Sequence, residues 1–342
     1  MNKNWLSQRF KNFAVLECNE SSSLYEHLSL KIATDYDLLT LCSHAKKGQP
    51  VPNLLFASVH YLLLKGIEHP LKHFYSSIVL NPRNAVESFT YFKDFCNKYY
   101  SEIKSLLQSK RVQTNEVRRC SYLYPIFCYI YQKTNTPLSL IEIGTSAGLL
   151  LNWDQYAYSY GDNRVYGNKK SPLHINANIK GKKLPFLLNE SPPVTYRVGV
   201  DLNIIDLHNE EEYIWLKALI WPEHKERLEI FDHAAQIFKQ KPVHLIEGDA
   251  VQLLNKLEKQ VPKNSTLCIF HTHVANQMPE QVKQYLLSKV KEIGKYRNVF
   301  HVYNNMFDRN LHIDFYINGT EYRNVIGETD GHGKWFEWQL KV

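Results

Sequence analysis

The chain has 342 residues, a hydrophobic fraction of 44% and a net charge of +7. This length fits one large domain or two ordinary ones, and the composition is that of a globular chain that can bury a sizeable core. The longest apolar run, at residues 54–64, is far below the about 20 residues that a membrane-spanning helix needs. Composition therefore excludes a spanning helix, and the mild positive charge permits an anionic partner without requiring one.

The cysteines favour a reduced environment. None of the six forms a C-x-x-C pair, so neither a zinc knuckle nor a thioredoxin-type motif is present. No apolar stretch follows the basic N-terminal residues, so we expect no signal peptide. We therefore expect a cytoplasmic protein with buried, reduced thiols at Cys18, Cys42, Cys96, Cys120, Cys128 and Cys268.

Residues 1–134 are predicted to form an α-helical N-terminal domain. Leu24, Leu28 and Ile32 recur every four residues, which is the period of a buried helix face. The same kind of spacing continues through most of this region.

Several helix positions within this region can be predicted. Pro52 and Pro70 stand where helices can begin, because proline suits the first helical turn. Residues 85–108 are predicted to form one long amphipathic helix. A further helix is expected over residues 115–133, with a kink at Pro125.

Residues 135–342 are predicted to form an α/β domain with a mostly parallel sheet and helices on both faces. Short strand-like runs alternate with helical stretches, which is typical of this class. Asn318-Gly319 stands between two β-rich runs and predicts an antiparallel hairpin that closes the sheet. The predicted strands are LSLIEIG, TYRVGVD, VHLIEGD, STLCIFH and RNVFHVY.

Residues 160–194 fit neither pattern and are interpreted as a basic insertion. Between Asn163 and Asn189 the segment has no acidic residue. Two interpretations remain: a solvated surface loop, or a basic lid over an anionic substrate. Its basic residues are Arg164, Lys169, Lys170, Lys180, Lys182 and Lys183.

A turn rich in small residues follows the first predicted strand. The strand is expected to end at Ile143 and a helix to begin near Ser146. Gly144 would let a ligand approach the backbone, and Gly148 would let the helix pack closely on the sheet. Glu142 would repel a pyrophosphate but suits a ligand with a cationic amino group and neutral hydroxyls. S-adenosylmethionine is such a ligand, whereas a nicotinamide dinucleotide is disfavoured.

This turn, Glu-x-Gly-x-Ser-x-Gly, is similar to the first motif of Rossmann-like methyltransferases, with Ser146 in place of the middle glycine. The similarity implies that Asp201, at the end of the next strand, holds the ribose hydroxyls and that Asp249 meets the adenine amino group. A carboxylate can accept two hydrogen bonds from a diol, and all three strand ends lie at the ligand-binding edge of such a sheet. The interval from Glu142 to Asp201 exceeds the usual roughly 20 positions, which the insertion explains. The alternative is that each aspartate only caps a turn or helix.

His271 and His273 end the fourth predicted strand and are the candidate catalytic residues. An imidazole titrates near neutral pH and suits a general base toward an acceptor. Their spacing predicts that both lie on one face of the strand, so a metal site with His301 is an alternative. A third interpretation is structural hydrogen bonding at the sheet edge. The acceptor motif Asn/Asp-Pro-Pro-aromatic of amino-directed methyltransferases is absent from the sequence.

Two polar stretches are candidates for lining the same pocket. In VQTNEVRRC, residues 112–120, either Thr114 or Asn115 can cap the next helix. Capping uses only one residue, so two interpretations remain. The stretch either lines the pocket through Gln113, Asn115 and Glu116, or combines a helix cap with a salt bridge at the domain interface. In DGHGKWFEW, residues 330–338, His332 lies either in a hairpin turn or over the pocket.

These motifs together resemble a bacterial family of unknown function, DUF2332. The shared segments, in chain order, are QTNEVRR, LIEIGTSAGLLLNWDQYAYSYG, VGVDLNIIDL, WLKALIWPEHKERL, IFHTHV and GHGKWFEW. The resemblance implies a helical N-terminal part followed by a Rossmann-like domain of the methyltransferase kind. It also implies that QTNE, Trp153-Asp154 and the His-Gly-x-Trp ending are family signatures of one pocket, and it carries no established activity.

The sequence therefore predicts a methyltransferase that uses S-adenosylmethionine and an unknown acceptor. A non-catalytic adenosyl-ligand-binding or sensor protein on the same fold is the first alternative. A metal-dependent enzyme built on histidines is the second. The insertion makes RNA or a phosphorylated metabolite conceivable as a partner, but the net charge is too small to argue for nucleic acid.

Overall fold

The structure is a computed structural model that describes residues 1–113 and 115–340. It divides into two compact units, residues 1–114 with 208–229 and residues 115–207 with 230–342. The predicted domain boundary after residue 134 differs from this division, because the helix Cys120–Thr134 packs within the second unit. Over the described ranges, no helix is both long enough and apolar enough to cross a membrane.

The first unit is helical, as predicted. Its helices are α1 (Lys3–Phe13), α2 (Ser23–Ile32), α3 (Tyr36–Cys42), α4 (Val51–Leu64), α5 (Ser88–Lys98), α6 (Tyr100–Ser109) and α8 (Glu210–Ala218). A π-helical turn (Ala14–Cys18) and 3-10 turns at Pro70–Phe74 and Ala85–Glu87 complete it.

The core of this unit surrounds α4, which has buried residues on all of its faces. The Phe56 ring stacks on Tyr25 with 4.2 Å between ring centroids. The Tyr61 ring meets Trp215 of α8 at 5.8 Å, and Trp215 Nε1 donates to the Arg111 carbonyl at 2.9 Å. The long helix predicted over 85–108 is instead broken at Tyr99, whose ψ of 35° departs from helical geometry.

The second unit contains a seven-stranded sheet. In chain order its strands are β1 (Leu138–Ile143), β6 (Val194–Asp201), β7 (His244–Glu247), β8 (Thr266–His271), β9 (Val299–Tyr303), β10 (Leu311–Ile317) and β11 (Thr320–Gly327). They lie side by side in the order β7-β6-β1-β8-β9-β10-β11. The first five are parallel, and β10 and β11 are antiparallel to their neighbours.

This order confirms the predicted mostly parallel sheet and its closing hairpin. The chain starts at the centre with β1, runs to one side through β6 and β7, and then crosses to β8 on the other side. Open α/β sheets bind ligands beyond the carboxyl ends of their strands, at this switch point. The hairpin turns at Asn318 and Gly319, whose φ values of 51° and 77° match a two-residue turn.

Helices cover both faces of the sheet. They are α7 (Cys120–Thr134), α9 (Lys225–Gln240), α10 (Ala250–Glu258) and α11 (Glu280–Gly294). Ile141, Val200 and Ile269 pack in one core cluster with the apolar residues of α10 and α11. On the opposite face, Phe127 of α7 meets Phe270 at 5.6 Å.

Helix α7 continues through Pro125, where we predicted a kink. A proline has no N–H to donate to the carbonyl four residues earlier, which here belongs to Ser121. That carbonyl instead accepts the Tyr160 hydroxyl at 2.8 Å. A side chain from outside the helix therefore satisfies the group that the proline leaves without a donor.

The basic insertion is folded rather than a plain solvated loop. Its short strands β3 (Tyr166–Gly167) and β4 (His174–Asn176) flank β2 (Ala157–Ser159), and β5 (Asn178–Lys180) pairs with β12 (Trp335–Glu337). Lys180 Nζ lies 3.4 Å from the centre of the Trp335 ring, and Lys183 Nζ donates to the Gln339 carbonyl at 2.6 Å.

All six cysteines are buried and unpaired.

Candidate functional site

The turn after β1 alternates between left-handed and ordinary backbone. Gly144, Ser146 and Gly148 have φ values of 74°, 54° and 75°. Left-handed geometry disfavours the helix that we predicted to begin at Ser146. A 3-10 segment begins at Leu149 instead and ends at Gln155. The turn therefore has no α-helix N-terminus to present to a ligand.

Side chains from other segments pack closely against both Gly144 and Gly148. A Cβ at Gly148 would lie 2.8 Å from Leu245 Cδ2 and 2.9 Å from Val243 Cγ2. This agrees with the predicted close packing on the sheet. A Cβ at Gly144 would lie 2.4 Å from Val274 Cγ2. The position where we expected a ligand to approach the Gly144 backbone is therefore occupied by Val274.

Asp201 ends β6 and braces the turn. Its Oδ2 accepts the Ser146 N–H at 2.8 Å, and its Oδ1 accepts the Asn203 N–H at 3.1 Å. Backbone N–H groups in alternating conformations form a concavity that favours an anion, and here the chain's own carboxylate fills it. Both Asp201 oxygens thus accept backbone N–H groups at the end of β6.

Glu142 is a buried carboxylic acid beneath the turn. It is 2% exposed, and one of its oxygens accepts the Thr145 hydroxyl at 2.6 Å. Burial raises its pKa to about 8; the Thr145 bond and Arg119 oppose this rise, and the Asp201 charge adds to it. The acid is therefore mostly neutral near pH 7, which weakens the repulsion of a pyrophosphate that we inferred from a charged carboxylate.

Asp249 is an exposed helix cap at the end of the third parallel strand in chain order. Its Oδ1 accepts both capping bonds of α10, from the Val251 N–H at 2.9 Å and the Gln252 N–H at 3.2 Å. The capping alternative is therefore correct, yet both bonds use the same oxygen. The second oxygen can accept a hydrogen bond from a ligand.

Asn115 holds the two ends of the turn together. Its Nδ2 donates to the Thr145 carbonyl at 3.0 Å, and its Oδ1 accepts the Leu149 N–H at 3.1 Å. Asn115 therefore bonds to the turn, and no helix cap by Asn115 is observed at Val117–Arg119 or α7. Thr114 lies outside the described residues. Glu116 is buried, and Gln113 is half-buried at the end of the first unit.

Trp153 is a core residue rather than a pocket residue. Its side chain is fully buried and meets Phe127 at 4.5 Å and Tyr124 at 5.9 Å between ring centroids. The neighbouring Asp154 pairs with Arg197 through bonds of 2.7 Å and 3.1 Å. The predicted signature Trp153-Asp154 thus fastens the 3-10 segment to the sheet and exposes no indole surface to a ligand.

His271 and His273 do not share a face, contrary to our prediction. Strand β8 ends at His271, and the chain then turns through a left-handed His273 with a φ of 56°. His271 is fully buried, with its Nε2 3.1 Å from the Nε2 of His301 on β9. Burial lowers the pKa of His271 to about 3 and holds that of His301 well below its ordinary value.

His273 lies at the carboxyl edge among polar groups. Its backbone N–H donates to Asn304 Oδ1 at 2.8 Å, and its Nδ1 is 3.1 Å from Asn305 Nδ2. Because Asn305 Nδ2 donates to Nδ1, the proton of the neutral ring is on Nε2. Its pKa is lowered to about 3, mainly by burial and also by the charges of Arg119 and His332, while the Asp330 charge opposes this change. The predicted near-neutral general base is therefore replaced by a weakly basic imidazole.

The C-terminal Gly-His-Gly turn packs against the residues that follow QTNE. Arg119 Nε donates to the Gly331 carbonyl at 3.1 Å, and Ser121 Oγ donates to the Gly333 carbonyl at 2.8 Å. A Cβ at Gly333 would lie 2.5 Å from the Arg118 carbonyl oxygen, so only glycine fits. His332 is half-buried in this turn, and its N–H donates to Asp330 Oδ1 at 3.1 Å.

Four sequence motifs therefore meet at one edge of the sheet. Arg119 Nη1 also reaches the Thr272 carbonyl and hydroxyl, both at 3.4 Å. Arg119 thus links QTNEVRR to both IFHTHV and GHG, while Asn115 links QTNEVRR to the turn after β1. The structure brings together five predicted residues, Asn115, Ser146, Asp201, His273 and His332, through these contacts.

Three residues at this edge were not predicted from the sequence. The Tyr122 hydroxyl lies beside Thr272 and Asn304, Val274 packs against Gly144, and Asn304 accepts the His273 N–H. Asn304 directly follows a strand end, where polar residues reach the ligand-binding edge, and this signal was available. Tyr122 and Val274 resemble ordinary core residues in the sequence and gave no signal.

No metal-binding cluster is found. Within the described parts of the chain, no group of three or more His, Cys, Asp or Glu side chains could hold a metal ion. The His271–His301 pair is one ligand short of such a set, because His273 turns toward Asn305.

A separate cavity of about 590 Å³ lies beside the antiparallel strands. Its lining includes His301, Tyr303, His312, Asp314, Arg323 and Lys291. The lining includes none of Glu142, Asp201 and Asp249, the carboxylates at the carboxyl ends of β1, β6 and β7. We therefore place the candidate site at the carboxyl edge, where the predicted motifs meet, rather than in this cavity.

Comparison with known proteins identifies the family. The profile of DUF2332, described as an uncharacterized protein conserved in bacteria, matches residues 7–338. The chain belongs to the DUF2332 family. No curated protein and no solved structure matches it. The DUF2332 match covers all of the motifs at the carboxyl edge, and the family description assigns them no activity.

Proposed function

We propose that this DUF2332 protein is an S-adenosylmethionine-dependent methyltransferase with a Rossmann-like second unit. One observation carries the proposal: three acidic residues lie at the carboxyl ends of three adjacent parallel strands beside the switch point of the sheet. Glu142 is the next-to-last residue of β1, Asp201 is the last residue of β6, and Asp249 lies two residues after β7. Acidic residues at successive strand ends suit a ligand with a cationic amino group, a ribose diol and an amino-substituted ring.

The acceptor capacity of these residues fits the proposed cofactor. Asp249 has an oxygen beyond its capping bonds, and a carboxylate oxygen can accept a hydrogen bond from a ligand. A bound ammonium group near Glu142 would favour its ionised form. When bound, the cofactor supplies an activated methyl group, and the protein's contribution is mostly positioning.

Of the two predicted catalytic histidines, only His273 stays in the proposal. His271 is fully buried and bonded to His301, so it cannot reach an acceptor. The neutral His273 suits hydrogen-bond donation to an acceptor from Nε2 better than proton removal.

A non-catalytic adenosyl-binding or sensor protein is the alternative. Val274 packs over Gly144, where a cofactor was expected to approach, and His273 is a weak base. Both observations favour binding without transfer. Micromolar binding of S-adenosylmethionine, without methyl transfer to any of a broad panel of acceptors, would favour this alternative.

Calorimetric titration with S-adenosylmethionine, S-adenosylhomocysteine and NADH tests the proposal. We expect micromolar binding of the two adenosyl ligands, and NADH tests whether the site takes a dinucleotide instead. Asp249→Asn should weaken that binding by about tenfold or more, because asparagine keeps the cap but replaces the ligand-facing oxygen with an N–H donor. Asp201 is a less suitable position for this test, because its substitution also removes the hydrogen bond that holds the Ser146 N–H in the turn.

The matched control is Asp35→Asn in the first unit. Asp35 Oδ1 likewise caps α3 through two backbone N–H groups, while its Oδ2 accepts Lys93 Nζ at 2.7 Å. This variant should bind the adenosyl ligands like the unaltered protein. Absence of adenosyl binding by a folded sample, or equal binding by Asp249→Asn, would overturn the proposed site.

A further inference from the structure

We propose that Arg119, Tyr122, His273 and Asn304 form a binding site for the anionic oxygens of a small carboxylate or phosphate compound. The inference deepens the proposed function and rests on it in one respect: this compound would be the methyl acceptor. The site itself is argued from hydrogen-bond donors that the protein buries without using.

Three buried donor groups have no protein partner in the described part of the chain: the Tyr122 hydroxyl, Asn304 Nδ2 and His273 Nε2. The identity of the Asn304 donor is settled by its neighbour, because Oδ1 accepts the His273 N–H and the other atom must be the amide nitrogen. Tyr122 and Asn304 are both fully buried. A buried polar group without a partner costs free energy, so several together indicate a missing ligand or water.

The three donors belong to one cluster. The Tyr122 hydroxyl lies beside the side chains of Thr272 and Asn304 without meeting either in hydrogen-bond geometry. Asn304 is bonded to His273, and Arg119 is bonded to Thr272. Helix α7, the segment after β8 and the segment after β9 thus each contribute a donor.

Arg119 is the cation of this cluster. It bonds only to neutral oxygens, and it forms no ion pair with any residue in the described ranges. Burial raises the pKa of its acidic neighbour Glu142 to about 8, and Asp330, a negative charge near His273, already accepts the N–H groups of His332 and Lys334. Donors around a guanidinium that has no ion pair suit an anionic oxygen, whereas a cation or a donor group would be repelled.

The orientation of the cluster also favours a small molecule. Tyr122 and Asn304 are fully buried, whereas His273 and His332 are half-buried toward solvent. A carboxylate or phosphate group that enters past the histidines would reach the two deeper donors. The rigid turn at Gly331 and Gly333 would border this entrance.

Calorimetric titration of the full chain with inorganic phosphate and with acetate, at constant ionic strength in chloride, tests this site. We expect saturable one-to-one binding of at least one anion, and the stronger of the two indicates which group the natural ligand carries. Tyr122→Phe should weaken binding about tenfold, since it removes one hydrogen bond to a charged group. The same variant should melt at or above the temperature of the unaltered protein, because it removes an unpartnered hydroxyl.

The matched control is Tyr75→Phe, which removes an equally buried and unpartnered hydroxyl in the first unit. It should bind the anion normally. A second variant, Asn304→Asp, keeps the acceptor for the His273 N–H but replaces the donor with an anionic oxygen, and should abolish binding. Failure of the unaltered protein to bind either anion, or unchanged binding in both site variants, would overturn the inference.

Titration of the same samples with S-adenosylmethionine separates the two proposals. Anion binding without cofactor binding would remove the methyltransferase proposal and leave the anion site standing. Cofactor binding without anion binding would remove only the site proposed here.

Discussion

Glu142 shows how one residue changes its chemistry when the chain folds. In the sequence it is a carboxylate at a strand end, and in the fold it is a buried acid bonded to Thr145, with a pKa of about 8. A folded pKa above the ordinary value of 4.5 means that the native state binds more protons than the unfolded state between these two pH values. Glu142 therefore stabilises the fold most at low pH, and that contribution is lost as the pH rises toward 8.

We expect Glu142→Gln to remove this pH dependence. Glutamine can still accept the Thr145 hydroxyl and never ionises. The free energy of unfolding of the variant, relative to the unaltered protein, should rise by at most about 1.4 kcal/mol per pH unit between pH 5 and 8. Denaturant titrations of both proteins across this range measure the difference.

Two features make the Glu142→Gln measurement interpretable. His271 and His273 have lowered pKa values and give the opposite slope below about pH 6.5, but they are present in both proteins and cancel. Glu247→Gln, at an exposed position, is the control for replacing a carboxyl group with an amide. A difference between Glu142→Gln and the unaltered protein that stays constant from pH 5 to 8 would mean that Glu142 is already ionised.

At the level of elements, the turn after β1 is irregular and is held by several contacts. Asp201, Asn115 and Val274 each hold a different part of it. Its left-handed positions alternate with ordinary ones, so it cannot extend into the α-helix that usually follows such a strand. The strand itself was predictable, because its hydrophobic residues are bounded by polar and glycine signals.

Gly148→Ala tests how closely this turn packs on β7. A left-handed alanine alone costs about 1–2 kcal/mol, and the overlap with Leu245 and Val243 should add about 1–3 kcal/mol. Gly161→Ala is the matched comparison, because Gly161 has a similar φ of 83° but would place its Cβ in open space. Equal losses of unfolding free energy in the two variants would show that the turn has room that the structure does not indicate.

At the level of the whole molecule, chain order and packing order differ. Residues 208–229 lie between strands of the second unit in sequence but pack within the first unit. Trp215 reaches Tyr61, and Glu223 accepts the Leu24 N–H at 3.0 Å at the start of α2. The helical N-terminal region is therefore incomplete without a segment that comes about a hundred residues later.

We expect the fragment 1–114 to be only partly helical and to melt without cooperativity. Adding a peptide of residues 208–229 should restore helix content and a cooperative transition, because this segment supplies residues that pack against α4. Circular dichroism with and without the peptide measures this effect. A fragment that melts cooperatively, at the same temperature in both samples, would contradict the prediction.

The sequence by itself determined the class of fold and the location of the carboxylates. Periodicity identified α2, α4, the five parallel strands and the hairpin at Asn318-Gly319, because local burial patterns and turn chemistry act over a few residues. The same local signals placed Glu142, Asp201 and Asp249 at strand ends, and the motif content pointed to DUF2332.

Only the tertiary structure decided what those residues contact. It turned His271 into the core and His273 to the edge, buried Trp153, and brought Arg119 to Thr272 and Gly331. These outcomes depend on contacts between residues far apart in the chain, and on burial, which shifts the pKa values of Glu142 and His273. Such contacts leave no periodic trace in a single sequence, so the chemistry of this site became visible only once the chain was folded.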